Sequence, residues 1–195
     1  MFFNRKLVED YLGQKMATNQ PVHSVDIAKV EEGKYFYESV DALLVEKGAA
    51  FMNFGDCTPL VFYFGKGSII AHAGWRGTVQ GMAKLVVQRI VNEYGVSVKD
   101  IKVAIGPTIC EQCYEVGKEV YDALALTVKN IGQGFIKSED KYFVGLKQIN
   151  KQQLLECGVR QIDVCPYCTA CGEKLFYSHR YDNHTGYRHS AVVKI

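Results

Sequence analysis

Short apolar runs punctuated by glycine set the pattern of this chain. Residues 4–12 place Leu7, Val8, Tyr11 and Leu12 on one side of a helix that Gly13 stops. Residues 22–30 are a strand candidate with His23 near its start, and residues 49–53 are a short apolar strand. Two apolar segments, residues 60–64 and 68–73, flank Gly65-Lys66-Gly67, which predicts a hairpin with a three-residue turn. After it Thr78 reads as a helix N-cap, Met82, Leu85, Val86, Ile90 and Tyr94 recur at helical spacing, and Gly95 ends the helix. A strand at 101–105 enters Gly106-Pro107. Helices are expected over 116–128 and 146–157, the second closed by Gly158, and strands over 161–164, 175–178 and 190–194. Strands and helices alternate, yet hairpins are present. The expected fold is therefore α+β, with mixed β-sheets flanked by helices rather than a doubly wound parallel sheet.

Composition narrows the function classes. At 195 residues with 48% hydrophobic content, one domain spanning 1–195 is the default. Charged residues make up 23% and the net charge is +2, so neither nucleic acid nor a membrane surface is indicated as a partner. Residues 1–10 lack the sustained apolar run of a signal peptide, and no 18-residue apolar stretch occurs. Seven irregularly spaced cysteines then read as reduced thiols in a cytoplasm. Gly-x-Gly-x-x-Gly and Walker-type loops are absent, so no motif supports a dinucleotide or nucleoside triphosphate site.

The hairpin carries the sharpest local chemistry. With Lys66 at its tip, Cys57 pairs near Trp75 and His72 near Leu60, so a thiol and an imidazole share its open end. That pairing suits a metal site or a Cys/His nucleophile pair; a buried thiol beside a satisfied core histidine is the structural alternative. Gly74-Trp75-Arg76-Gly77 joins the strand to a helix start, where unpaired N–H groups and the Arg76 guanidinium suit phosphate or carboxylate; a surface ion pair is the other reading of Arg76. His23 alone is unremarkable in type. Brought to the hairpin end, it completes two imidazoles and one thiolate with a vacant fourth position, the donor set of a catalytic zinc.

The other cysteines are ambiguous. Cys165-Pro166-Tyr167-Cys168, followed by Cys171, has dithiol spacing but lies late in the chain, without the helix-opening context of a thioredoxin-like unit. The Cys-Pro that completes a bacterial iron–sulfur run is missing. Structural zinc with Cys157 as fourth thiolate stays open, and loop packing is the simpler reading. Cys110 and Cys113 would join Cys165 and Cys168 in a four-thiolate site only if the fold bridges a gap longer than zinc ribbons use.

Together these blocks resemble the YfiH-like family, also called laccase-domain or polyphenol-oxidase-like proteins. His72-Ala73-Gly74-Trp75-Arg76-Gly77 matches its signature unchanged, and Gly55-Asp56-Cys57-Thr58-Pro59 resembles its Ala-Asp-Cys-x-Pro element. Gln20-Pro21-Val22-His23 resembles Gln-Val-His-Gly, with a proline inserted and Ser24 in place of glycine. Ser39-Val40-Asp41-Ala42-Leu43 resembles Glu-Ala-Asp-Ala-Leu, and Ile105-Gly106-Pro107 with Cys113-Tyr114-Glu115-Val116-Gly117 matches a further block. Phe176-Tyr177-Ser178-His179-Arg180-Tyr181-Asp182, then Thr185-Gly186, resembles Phe-Phe-Ser-Tyr-Arg-Arg-Asp followed by Thr-Gly. Tyr181 replaces the second arginine, Arg188 stands one position beyond the Thr-Gly-Arg arginine, and the resemblance starts after the N-terminal segment with Thr-Arg-x-Gly-Gly that members usually carry.

The resemblance implies a relation to Cys/His toxin hydrolases and a zinc, or alternatively copper, held by His23, Cys57 and His72, which would also be the catalytic residues. It implies phosphorolysis of adenosine, inosine and methylthioadenosine, with adenosine deamination in some members, so a purine nucleoside and phosphate are the expected partners. Arg76 and Thr78 would hold phosphate, and Arg180 and Asp182 would contact substrate. Three other readings remain. Copper-dependent phenol oxidation is limited because five histidines cannot supply a type-1 copper and a trinuclear cluster, though one copper at the same site would support weak oxidation. A Cys57–His72 hydrolase and a non-catalytic binding protein complete the set.

Overall fold

Strand β7 (Ser68–Ala73) is buried along its whole length, because both faces of the sheet around it are covered. The protein is described here by a computed structural model covering residues 5–172, 174–183 and 186–195. In chain order the elements are α1 (Arg5–Leu12), β1 (Thr18–Asn19), β2 (Ile27–Lys29), β3 (Phe36–Tyr37), β4 (Ala42–Val45), β5 (Ala49–Phe54), β6 (Thr58–Tyr63) and β7, then α2 (Trp75–Val79), α3 (Met82–Tyr94) and β8 (Lys102–Ile105). There follow β9 (Glu115–Val116), α4 (Lys118–Ala125), β10 (Phe135–Ser138), β11 (Lys141–Val144), α5 (Leu146–Glu156), β12 (Gln161–Val164) and β13 (His189–Lys194). The proposed helix start at Asn4 and the Thr185 of the Thr-Gly element lie outside the described residues.

The central sheet has the order β12-β8-β6-β7-β4-β2 and is mixed, with β12–β8 and β4–β2 parallel and the inner pairs antiparallel. Alternating side chains divide its two faces. Leu44, Leu60, Phe62, Ile69 and Ala71 meet Met82, Val86 and Ile90 of α3 and Leu154 of α5. Leu43, Val45 and Ile70 meet Ala50, Met52 and Phe54 of β5 and Val193 of β13. The layers are thus helices, sheet and a β5–β13 ribbon, an α+β arrangement as the pattern predicts. A smaller core of Val120, Leu124, Val144 and Ile149 carries Trp75 and Tyr114 on its edge.

Several local expectations shift. The β6–β7 turn is the two-residue Gly65-Lys66, closed by Phe64 N donating to Gly67 O at 3.2 Å, and only Gly65 takes a positive φ, +79°. The register slides by one, so Pro59 rather than Leu60 faces His72. Residues 22–24 are not strand: His23 has φ +62° and their N–H groups bond to Asp41, leaving only β2. Residues 116–128 divide between β9 and α4, and 175–178 are bends and irregular chain, not a strand. Thr78 is not a cap. Gly81 precedes α3, and Thr78 lies inside α2, 0% exposed, its hydroxyl accepting from Asn150 Nδ2 at 2.9 Å.

His189 opens β13 with its ring stacked on Phe54 and edge-on to Phe176. Burial pushes it down to about 4, so the folded protein holds it neutral where the unfolded chain protonates it. Its contribution is complete above about pH 6.5 and is lost as the pH falls toward 4, at up to about 1.4 kcal/mol per pH unit. Urea unfolding of wild type and His189→Phe across that window should show the wild type losing stability more steeply; parallel curves would contradict the assignment.

Candidate active site

The mouth of the β6–β7 hairpin brings three distant residues together. His72 sits near the end of β7 and is 5% exposed; Cys57 precedes β6; His23 comes from the loop before β2. One ligand atom from each lies within 4.8 Å of the others, with Cys57 Sγ 4.0 Å from His23 Nε2 and the two imidazole centroids 5.0 Å apart. A Cβ on Gly74 would stand 3.0 Å from both Cys57 Sγ and His23 Cδ2, so glycine is what leaves this cluster its space.

Asp41, completely buried just before β4, organises the cluster. Its Oδ2 accepts from Val22 N at 3.0 Å, Ser24 N at 2.8 Å and Ser24 Oγ at 3.1 Å. Its Oδ1 accepts from His23 N at 3.1 Å and pairs with His72 Nδ1 at 2.9 Å. Burial works to raise this carboxyl, but the bonds from His72, Val22 and Ser24 prevail and hold it low. An anionic Asp41 accepts a hydrogen bond from Nδ1–H of His72, so Nε2 is the nitrogen that would face a metal once its own proton is displaced, the carboxylate–histidine relation that orients metal ligands. Burial likewise works to raise the Cys57 thiol, yet hydrogen bonding and charge from His23 and His72 bring it down to about 6. His72, which burial alone would lower, is raised to about 9 by Asp41 and Cys57. A thiolate and two nitrogen donors with an open side fit one zinc- or copper-class ion.

The cluster opens into a pocket of about 370 Å³. Arg76, Arg180 and Arg188 line it, with Trp75, Tyr114 and His179. Arg76 stacks on Trp75 at 4.4 Å and Arg180 on Tyr114 at 5.0 Å. Asp56 fixes the wall beside Cys57, accepting from Thr169 Oγ1 at 2.6 Å and Arg180 N at 2.7 Å. Burial and the nearby Cys57 charge push the Tyr114 hydroxyl up to about 12, so it keeps its proton at neutral pH. A second hollow, lined by Trp75, Tyr114, Val116, Arg180 and Tyr181, adjoins the first across shared residues.

Not every residue singled out from sequence reaches the pocket. His23, Cys57, His72, Arg76 and Arg180 do, whereas Thr78 is in the core. Asp182 closes a turn, its carboxylate accepting from Ser178 N at 2.8 Å. Arg188, one position displaced in sequence, nonetheless lines the pocket. Asp41 and Tyr114 were visible only as members of motif blocks; nothing in their spacing distinguished an organising carboxylate or a pocket wall.

A mixed-sheet α+β domain thus carries a metal-capable His/Cys/His donor cluster that opens into a pocket lined by three arginines. The chain belongs to the family described as "Multi-copper polyphenol oxidoreductase laccase", whose model matches residues 3–195, and its relatives carry the YfiH and YlmD names. It is 32% identical to purine nucleoside phosphorylase YlmD of Geobacillus stearothermophilus, over 97% of this chain and 77% of that protein. It is 33% identical to adenosine deaminase RL5 of an unknown prokaryotic organism, over 77% of this chain and 60% of that protein. The crystal structure of hypothetical protein YfiH from Bacillus licheniformis superposes with a TM-score of 0.92 at 30% identity, over 98% of this chain and 79% of that one. No helix among the described residues is long and apolar enough to cross a membrane.

Proposed function

We propose that this protein is a metal-dependent purine nucleoside enzyme that cleaves adenosine, inosine or methylthioadenosine with phosphate and also deaminates adenosine. The supporting observation is the opening of the His23–Cys57–His72 cluster into a pocket with aromatic walls and three guanidinium groups. In phosphorolysis a phosphate oxygen bonds to the ribose anomeric carbon as the bond to the purine nitrogen breaks, giving ribose 1-phosphate and free base. Arg76, Arg180 and Arg188 neutralise and orient the phosphate. Trp75 and Tyr114 offer flat faces to the purine. Tyr114, which lines the pocket and keeps its hydroxyl proton, would hand one to the leaving base. A bound zinc supplies Lewis acidity and lets water act as a nucleophile near neutral pH, the chemistry that deamination requires. Asp41 holds the Nδ1 proton of His72 and so keeps the other ring nitrogen oriented toward the cluster. The name of the deaminase relative favours deamination as the second activity; two histidines in the cluster do not make a multi-copper oxidase.

Adenosine incubated with protein, with and without phosphate, tests the reading. Adenine and ribose 1-phosphate should form only with phosphate, and inosine with ammonia should accumulate without it. Phenol oxidation with no nucleoside turnover would defeat it. Arg76→Gln removes a guanidinium that stacks on Trp75 outside the core. It should raise KM for phosphate by roughly 10- to 100-fold, the worth of a hydrogen bond to a charged group, and change KM for adenosine much less.

A further inference from the structure

Four cysteines outside the active site meet across the long sequence gap that made a four-thiolate site a remote reading of the spacing. Cys110 and Cys113 lie in the turn after β8, Cys168 and Cys171 in the turn after β12, and all four sulfurs lie within 4.8 Å of one another. The pairing differs from the one the sequence suggested: Cys165 stands outside the group, and Cys171 takes its place.

We propose that these four thiols bind a structural zinc ion that joins the two turns. A tetrahedron with zinc–sulfur bonds of about 2.3 Å has edges of about 3.8 Å, and Cys110 Sγ and Cys171 Sγ are 3.7 Å apart. A disulfide would need about 2.05 Å, and all seven cysteines are free thiols. The backbone is already arranged around sulfur as an acceptor. Cys168 Sγ receives Cys110 N at 3.2 Å and Ala170 N at 3.3 Å, as a thiolate ligand would. Both Cys-x-x-Cys turns close on themselves, Cys113 N to Cys110 O at 3.0 Å and Gly172 N to Cys168 O at 3.1 Å. A Cβ on Gly172 would collide with the Cys168 carbonyl oxygen, so this tight turn requires glycine. Lys147, only 5% exposed, donates Nζ to Cys165 O at 2.6 Å and Tyr167 O at 2.9 Å. Its charge is within electrostatic reach of Cys168 and Cys110, offsetting part of the double negative charge of a zinc tetrathiolate.

Zinc displaces four thiol protons on binding and no electron moves. Four thiolates in a tetrahedron leave no open position, so the ion is structural rather than catalytic. Its place explains its use. Tyr114 follows Cys113 directly, and Thr169 follows Cys168 and bonds Asp56 beside Cys57, so the ion fixes the wall of the pocket.

The proposal is independent of the purine reading, and zinc content separates the two. Reduced protein saturated with zinc and freed of excess is assayed for metal per chain as wild type, His72→Ala and Cys113→Ser/Cys168→Ser. The expected values are two, one and one, and the zinc X-ray absorption spectrum of His72→Ala should show four sulfur neighbours at about 2.3 Å and no nitrogen. The cysteine variant should also unfold at lower urea concentration. If it does not fold, the wild-type count and the His72→Ala spectrum carry the test. Folded His72→Ala without zinc, a wild type that saturates at one zinc with mixed nitrogen and sulfur ligands, or iron in the four-sulfur site would each overturn the proposal. Loss of the His72-dependent ion while the four-sulfur zinc persists in wild type would instead count against the active-site metal alone.

Discussion

His72→Ala is expected to lose the active-site ion and nucleoside turnover together, with kcat/KM falling by on the order of 10³-fold, about 4 kcal/mol of transition-state stabilisation. The side chain joins the two halves of the site. One ring nitrogen is tied to Asp41, and the ring packs edge-on to His23 and against Phe54. Alanine leaves Asp41 without its charged partner and leaves two donors, His23 and Cys57, where three met. The position is at the end of β7 and opposite Pro59, so the strand pairing itself survives. Zinc content, circular dichroism and phosphorolysis measured on the same preparation check this. A folded His72→Ala protein that has lost the active-site ion yet keeps wild-type turnover would remove the metal from the mechanism.

The second large effect is expected from Asp41→Asn, a change of one atom type in the core. Asp41 is surrounded by donors: three backbone N–H groups, the Ser24 hydroxyl and His72 Nδ1. Asparagine must turn its own NH2 toward some of them. Either the 22–24 loop loses its anchor or His72 is driven to the other tautomer. Breaking such a buried charged network costs about 3–5 kcal/mol, and loss of ligand orientation lowers zinc affinity by roughly 10- to 100-fold. Zinc titration well below the unfolding temperature separates the two effects, because a merely structural Asp41 would move the urea midpoint without moving the affinity of the folded protein. Asp41→Glu, which restores the charge at a longer reach, should recover part of the affinity.

The hairpin was legible because it is local. Apolar runs on either side of Gly65-Lys66 put Cys57 and His72 at one end, and the one-residue slip in register did not separate them. Helices α3 and α5 were legible for the same reason, through their periodic apolar faces and their closing Gly95 and Gly158. What failed were elements whose shape is set elsewhere. Residues 22–24 read as strand because nothing in their own sequence reveals that Asp41 claims their amides. Strand β4 of the six-stranded sheet was overlooked because four consecutive buried residues carry no alternation. Thr78 looked like a cap until Asn150 and Gln153 of α5 proved to occupy its polar atoms. The cysteine pairs show the same limit: spacing proposed Cys165 as a partner, but the turn after β12 presents Cys168 and Cys171 to Cys110 and Cys113.

Anomalous diffraction at the zinc edge from crystals of the reduced protein tests the central claim most directly. A peak is expected at about 2.0–2.3 Å from His23 Nε2, Cys57 Sγ and a His72 ring nitrogen, with its open side toward Arg76 and Arg180. A map with no density among those three side chains, from a preparation that converts adenosine and phosphate to adenine and ribose 1-phosphate, would contradict it.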